Sequence, residues 1–482
     1  MERQDRPPFG LDPIDIVGLP VIGHREHADG IGLQQQQRID RHRFKVSRAM
    51  TSLRLAALPL LLATVALPFA ASAAPAFGPY AARIAKVLKA TPLIDGHNDW
   101  PEAMAGKAGD ARWTMPLDRL DPSQYHTDIT RLRAGQMGGQ FWSVWVSADL
   151  PELQQVKDTV EQIELVHSLA RRYPQDFTLA TTAAEVRAAH KAGRIASMIG
   201  VEGGGQIDGS LAVLRAYHDL GAGYLTLTHS RTIAWADSAT DNPQHDGLTP
   251  FGEAVVHELN RLGMLVDLAH VSEGVMMDAL KVSKAPVIFS HSSARALCNT
   301  PRNVSDAILQ QVAANGGVVM VNFAPQYVSE ARRVWSAARS AEMARYNAPP
   351  FGGLYIGDPE GAKKALAEWE KANPEPVVTL SMVADHIDHI AKVAGVDHVG
   401  IGSDFDGVGS LPQGLGSVAT YPALLAELMR RGWSDADIAK LAGENVLRVM
   451  AAAEKVAEGM KGEPIGNGTV ASLDGAKPAT KE

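Results

Sequence analysis

LIDGHNDWP, residues 93–101, carries a histidine and an aspartate two apart just where an apolar run stops. Leu93 and Ile94 read as the end of a short buried strand, and Gly96, Asn98 and Pro101 as the loop that follows. Residues i and i+2 of a strand face the same side, so His97 and Asp99 can point at one object just past the strand's end. A metal ion is the expected object.

Outward from this stretch the same plan recurs. Eight short apolar runs alternate with helix-period stretches: PLIDGH (92–97), GGQFWSVWV (138–146), IASMIGVEGG (195–204), YLTLTHS (224–230), MLVDLAHVS (264–272), VIFSHSS (287–293), GVVMVNF (317–323) and HVGIGSDFDG (398–407). Between most of them lie patterns such as LQQVKDTVEQIELVHSLARRYP, SLAVLRAYHDLG and SDAILQQVAANGG, with serine caps and terminal glycines. Eight such alternations in one domain predict a (β/α)8 TIM barrel. Its metal-bearing strand ends make it the metal-dependent hydrolase type.

Polar residues collect at the run ends. His97 and Asp99 close the first run, Glu202 the third, His229 the fourth, His270 the fifth, His291 the sixth and Asp404 the eighth. The seventh contributes only Asn322, and the second ends in Trp145 and Val146. In a barrel these positions converge on the carboxyl-end face, where this fold builds its active sites. The N/O donor set suits zinc or a similar divalent metal. Two ions bridged by a carboxylate would use His97, Asp99 and Glu202 for one, and Glu202, His270 and His291 for the other. Such a pair can hold a hydroxide and polarise a carbonyl, so the implied chemistry is metal-assisted hydrolysis. His386 and His389, spaced i and i+3, read as a helix face without chemistry, and His218 and His257 also sit in helical patterns.

The 482 residues are 45% hydrophobic and 21% charged, enough for one large or two ordinary domains. Residues 51–73 run apolar after Arg48 and finish Ala71-Ser72-Ala73, the order of a signal peptide. We therefore expect a signal peptide over 50–73 preceded by an upstream extension, 1–49. A barrel domain over 80–455 follows, with a helical insertion at 324–376 and a flexible tail at 456–482. Cleavage after Ala73 removes nine of the 46 basic and seven of the 54 acidic residues, leaving 37 against 47, a net charge of −10. So acidic a chain is a poor partner for nucleic acid or anionic lipid. Cys298 is the only cysteine, which excludes an intrachain disulfide, and the polar C-terminal tail lacks an anchoring signal. The expectation is an exported, periplasmic or secreted protein with no stable membrane anchor.

LIDGHNDWP, GVEGG, YLTLTHS, VDLAHVS, FSHSSARALC and GIGSDFDG, in that order over roughly residues 80–455, resemble the membrane dipeptidase (renal dipeptidase) family of zinc metallopeptidases. The resemblance implies a (β/α)8 barrel holding two Zn²⁺ ions that hydrolyses dipeptides, including those with a D residue at the carboxyl side. Some members also open β-lactam rings. It assigns His97 and Asp99 to the first zinc, Glu202 to the bridge, and His270 and His291 to the second. His229 corresponds to the family's substrate-contacting histidine, and Asp404 to the acid that takes the water's proton and passes it to the leaving amine. Arg302, eleven residues after His291, stands where the family places an arginine for the substrate carboxylate. The animal members are disulfide-containing and lipid-anchored. Here Cys298 has no partner and Arg231 stands where a cystine is expected, so membrane attachment and a disulfide-linked dimer do not follow, while a homodimer stays open.

Two other functions compete. Another binuclear amidohydrolase acting on a cyclic amide or lactone would commonly use H-x-H on the first strand and a carbamylated lysine, whereas this chain has H-x-D and Glu202. A metal- or peptide-binding protein without catalysis would be expected to lack Asp404, His229 or Glu202, and all three are present.

Overall fold

A computed structural model describes residues 77–348 and 352–475. The expected upstream extension and signal peptide lie outside them. The described residues form nine parallel strands: β1 (Leu93–Asn98), β2 (Met137–Trp145), β3 (Phe177–Leu179), β4 (Ile195–Glu202), β5 (Ala222–Thr226), β6 (Leu265–Asp267), β7 (Ile288–Phe289), β8 (Val318–Val321) and β9 (Val399–Ile401). The hydrogen-bonded order is β2-β1-β9-β8-β7-β6-β5-β4, and β2 pairs with β4 from Gly139↔Ala196 to Trp145↔Glu202, which closes the sheet. The fold is an eight-stranded (β/α)8 barrel.

All eight apolar runs are barrel strands. The sequence pattern misses β3, whose three residues pair with Ile195–Ser197 of β4, ahead of the residues that pair with β5. A three-residue strand is too short to show a period of two.

The barrel forms because each strand buries both faces. Ile94, Phe141, Met198, Tyr224, Leu265, Ile288, Val318 and Met320 belong to one apolar cluster, closed by Val446, Leu447 and Met450 of the helix Asn445–Gly459. Their chain neighbours Leu93, Trp142, Ile199, Leu225, Val266, Phe289 and Val319 belong to the other, with the surrounding helices. Successive residues of a strand point to opposite sides, so the first cluster is the barrel interior and the second the layer under the helices.

The helices end as the sequence suggests at some termini and differently at others. Ser272 caps Glu273–Val282 by accepting from Val275 N–H, and Gly263 and Gly316 end their helices at φ 78° and 84°. Ser210 and Ser305 take N-cap positions without a side-chain cap bond; the Ser305 hydroxyl instead donates to Glu273 at 3.1 Å. Between residues 324 and 376 the chain forms helices Pro325–Val328, Glu330–Tyr346 and Pro359–Ala372. The two long ones pack through Trp335 and Trp369 and an Arg339–Glu370 ion pair at 2.6 Å.

Residues 456–475 differ from the expected flexible tail. Helix Asn445–Gly459 runs on into buried Met460, Thr469 bridges Ser210, and the Asp474 carboxylate accepts from Thr249 Oγ1 and Phe251 N–H at the start of helix Pro250–Leu262. A carboxylate at a helix N-terminus satisfies N–H groups that lack intrahelical partners. Sequence composition does not reveal such a docking partner, more than 200 residues away. Among the described residues no helix is long and apolar enough to cross a membrane.

Candidate metal centre

Barrel closure carries the carboxyl ends of the strands to one rim. His97 and Asp99 come from the end of β1, Glu202 ends β4, and His229, His270, His291 and Asp404 follow β5, β6, β7 and β9 within three residues. Every predicted metal residue is buried: His97 0%, Asp99 6%, Glu202 2%, His270 8% and His291 1% exposed.

Glu202 stands at the centre. The Nε2 atoms of His270, His97, His291 and His229 lie 3.0, 3.3, 3.4 and 3.8 Å from its carboxylate oxygens, and Ser143 Oγ donates to Oε2 at 2.9 Å. His97 Nε2 is also 3.4 Å from Asp99. Three overlapping sets of donors could each surround an ion: His97, Glu202 and His291; Glu202, His229 and His270; His97, Asp99 and Asp404. These sets differ in grouping from the two-ion assignment above but use the same side chains together with His229 and Asp404. The His229 side chain, 23% exposed against 9% or less for the other histidines, faces the open cavity.

The protons around these rings can be placed. The Tyr224 hydroxyl donates to the Gly96 carbonyl at 3.3 Å, so His97 Nδ1, 3.0 Å from the same oxygen, is the donor to it. Ser290 Oγ donates to Asp267 at 2.6 Å, so His291 Nδ1, 2.9 Å from Oγ, donates to Ser290. In the neutral form of each ring Nε2 then carries a lone pair aimed at the cluster. His97 Nε2 is buried without a hydrogen-bond partner, and the Nε2 atoms of His270 and His291 sit 2.9 Å apart. Burial and the cationic groups around them hold His270 and His291 well below the usual histidine range, in the unprotonated form that metal ligation requires. Burial opposes charge on His97, but Glu202, Tyr224 and Asp99 outweigh it and favour a cation there. Imidazole nitrogens and carboxylates converging on one point, with surroundings at His97 that favour positive charge, fit a divalent metal centre.

Two buried carboxylates tie the ligand loops down. Asp267 accepts from Ser290 Oγ, Thr226 Oγ1 and the N–H groups of Ala269 and Ser290. Asp95 accepts from Ser403 N–H and Oγ and from Tyr421. His270 and Asp404 adopt left-handed backbone, φ 69° and 67°. That conformation costs roughly 1–3 kcal/mol at a non-glycine residue and is held by surrounding bonds, here Ala239 N–H to His270 O and Asp404 N–H to His97 O. Gly407 lets two acids approach, since a Cβ there would lie 2.2 Å from Asp99 Oδ2 and 2.7 Å from Asp404 Oδ1.

The cavity over the cluster holds about 290 Å³ and is lined by Asp99, Glu202, His229, His270, Arg302 and Asp404, with Trp145, Gln326 and Tyr327 in its wall. Gln326 and Tyr327 bring the start of the 324–376 segment into the site. Arg302 is 1% exposed; its guanidinium donates to Ser292 Oγ and His291 O at 3.3 Å, lies 5.2 Å from the Tyr327 ring centre, and forms no ion pair among the described residues. Burial and the Asp99 charge push Asp404 well above the usual carboxylate range, and an Asn322 hydrogen bond opposes them.

All seven strand-end residues and Arg302 therefore meet. Sequence reasoning passed over Tyr224, Ser290 and Asp267, although a tyrosine inside a strand signals a buried hydroxyl in need of a partner, and it named Asn322 at the end of the seventh run without giving it a role. Asp406 exchanges bonds with the loop residue His126 and takes no part in the cluster. His386 and His389 both lie on the helix Leu380–Ala394, as expected, and His386 is enclosed between the Ala294 N–H and the Val328 carbonyl. Its i, i+3 spacing to His389 hides the fact that only one of the two faces inward.

A family model described as membrane dipeptidase (peptidase family M19) matches residues 81–464. Among solved structures, the chain is similar to a probable dipeptidase, PvdM, from Pseudomonas aeruginosa, with 26% identity over 77% of this chain and 98% of that one and a TM-score of 0.66. It is also similar to dipeptidase AC, a metallopeptidase, at 26% identity, 76% and 99% coverage and TM-score 0.61. A metallopeptidase from Rhodobacter sphaeroides, liganded with a phosphinate mimic of the dipeptide L-Ala-D-Ala, matches at 25% identity with the same coverages and TM-score.

Proposed function

The chain belongs to the membrane dipeptidase family and is a metallo-dipeptidase, and from that premise we propose that it uses two zinc ions and Asp404 to hydrolyse dipeptides, including those with a D residue at the carboxyl side. The observation that carries this reading is Arg302, a buried guanidinium without a carboxylate partner among the described residues, in the same cavity as the histidine–carboxylate cluster and Asp404. The free carboxylate of a dipeptide lies one residue from the scissile bond, so a guanidinium in the same cavity as the cluster can hold it.

His97 and Asp99 would hold one ion and His270 and His291 the other, with Glu202 between them. When bound, such a pair supplies Lewis acidity that makes water a better nucleophile near neutral pH and polarises the scissile carbonyl. Arg302 holds the terminal carboxylate by charge-assisted hydrogen bonds. As the water oxygen bonds to the carbonyl carbon, Asp404 accepts its proton; as the C–N bond breaks, Asp404 delivers that proton to the amine nitrogen and returns to its ionised form. Burial and the neighbouring Asp99 raise its proton affinity, which suits an acid and base working near neutrality. Burial lowers the His229 pKa, so its neutral ring can donate one N–H to the developing oxyanion. Acceptance of a D residue draws support from the L-Ala-D-Ala mimic held by the Rhodobacter sphaeroides relative.

The test is hydrolysis of L-Ala-D-Ala and L-Ala-L-Ala by chelated and then zinc-reconstituted protein, beside Asp404→Asn. Activity that zinc restores and the variant lacks is expected. Cleavage insensitive to chelation would overturn the metal reading, and full activity in Asp404→Asn the acid–base one. The apolar run at 51–73 supports action after export; a mature N-terminus at Ala74 in periplasmic protein checks it.

A further inference from the structure

A further cavity adjoins the substrate cavity at its aromatic wall. A second cavity of about 330 Å³ shares Glu102 and Trp145 with the metal cavity and excludes Arg302 and Tyr327. Apolar surface comes from Val146, Leu150 and Leu165, and its charged lining is Glu102, Asp158, Glu161 and Arg112, three carboxylates against one guanidinium. Arg112 is already paired with Glu161 at 3.2 Å, and Asp158 lies 3.3 Å from Lys157. Glu102, by contrast, makes no hydrogen bond or ion pair with any described residue.

A second observation concerns Gln162, which lines this cavity and is 7% exposed. Its Nε2 is spent on the Trp145 carbonyl at 2.6 Å, while its Oε1 is buried without a partner. The cavity thus presents the Glu102 carboxylate, without a partner among the described residues, and the Trp145 indole, while Gln162 Oε1 and Trp145 Nε1 lie buried in its wall without partners. The accessible carboxylate and indole face, with the apolar side chains, suit a guest with an apolar stem and a cationic, N–H-bearing head.

We propose that this cavity receives the side chain of the substrate's amino-terminal residue, and that Glu102 selects dipeptides in which that side chain is cationic, lysyl or arginyl. The proposal rests on the dipeptidase reading above. Arg302 occupies the carboxylate end and lines only the metal cavity, so a pocket that adjoins that cavity at Glu102 and Trp145, apart from Arg302, serves the residue at the other end.

The test is kcat/KM of the zinc-loaded enzyme for L-Lys, L-Arg, L-norleucyl and L-Glu residues joined to D-Ala, with a parallel series joined to L-Ala. Norleucine keeps the stem of lysine and removes its charge. The expected result is a preference for Lys over norleucine of about 10-fold or more. That ratio should fall toward one in Glu102→Gln, and Glu102→Lys should favour the L-Glu substrate instead. Equal turnover of Lys and norleucine substrates by the wild type would overturn the proposal while leaving the dipeptidase reading intact. So would an equal loss on every substrate in Glu102→Gln, which would put Glu102 at the α-ammonium group. Absence of cleavage in both series would overturn the two readings together.

Discussion

The Asn322 side-chain amide donates a 2.9 Å hydrogen bond to Oδ2 of Asp404, joining the residue after β8 to the proposed acid after β9. It is the side-chain bond that lowers the proton affinity of a carboxyl otherwise raised by burial and Asp99. Asn322 therefore aims Asp404 and limits how strongly it holds its proton.

Asn322→Ala should lower kcat about 10–100-fold, the usual effect of removing an orienting partner, with bound zinc unchanged. The limb of the pH–kcat profile that reports Asp404 should move to higher pH, since the ionised form loses its donor. Wild-type kcat with an unmoved profile would show that the amide does nothing for Asp404.

Tyr224→Phe removes the oxygen that His97 Nδ1–H bonds and leaves the ring in place. Zinc affinity, measured by competition with a chromophoric chelator, should drop about 10–100-fold. Gly200 makes room for that ring, because a Cβ there would fall 1.9 Å from the Tyr224 Cζ. Gly200→Ala should displace the ring and destabilise the fold by about 1–3 kcal/mol, the usual cost of overpacking, read by urea unfolding.

Arg302→Met should raise KM for dipeptides about 10–100-fold, as expected when charged hydrogen bonds to substrate are lost. With the wild type, amidating the dipeptide's carboxyl should cost a similar factor, and combining the two changes should add little. Additive losses in that cycle would show that Arg302 and the carboxylate do not meet.

Burial pushes the His386 pKa down to about 4 from 6.5. Because the folded value is the lower one, the unfolded chain binds more protons between pH 6.5 and 4. Stability from this residue is complete above about pH 6.5 and is lost as pH falls toward 4, by about 3 kcal/mol in full. Urea unfolding of wild type and His386→Gln from pH 7.5 to 4.5 should give curves that converge on acidification. Parallel curves would mean that another group carries the acid sensitivity.

Much of the site was legible in the chain. Apolar runs ending in His, Asp or Glu can belong to a parallel barrel, and a barrel brings every strand's carboxyl end to one rim. His97, Asp99, Glu202, His270 and His291 could be named from that alone, and the six ordered motifs added Arg302. The pattern was weaker wherever an element was short or a residue's partner distant. β3 has three residues, the Asp474 cap works across more than 200, and His386 and His389 look alike until one is enclosed.

Local periodicity thus determined which residues reach the rim, because strand alternation and parallel order are properties of neighbouring residues. Tertiary structure decided what each of them does there. Tyr224 fixes the tautomer of His97 across 127 residues and Asn322 holds Asp404 across 82. Arg302 forms no ion pair among the described residues because barrel closure, not sequence spacing, sets which groups come within reach of it. The cavity shared by Glu102 and Trp145 likewise exists only where the β1 and β2 ends are brought side by side by the sheet's register.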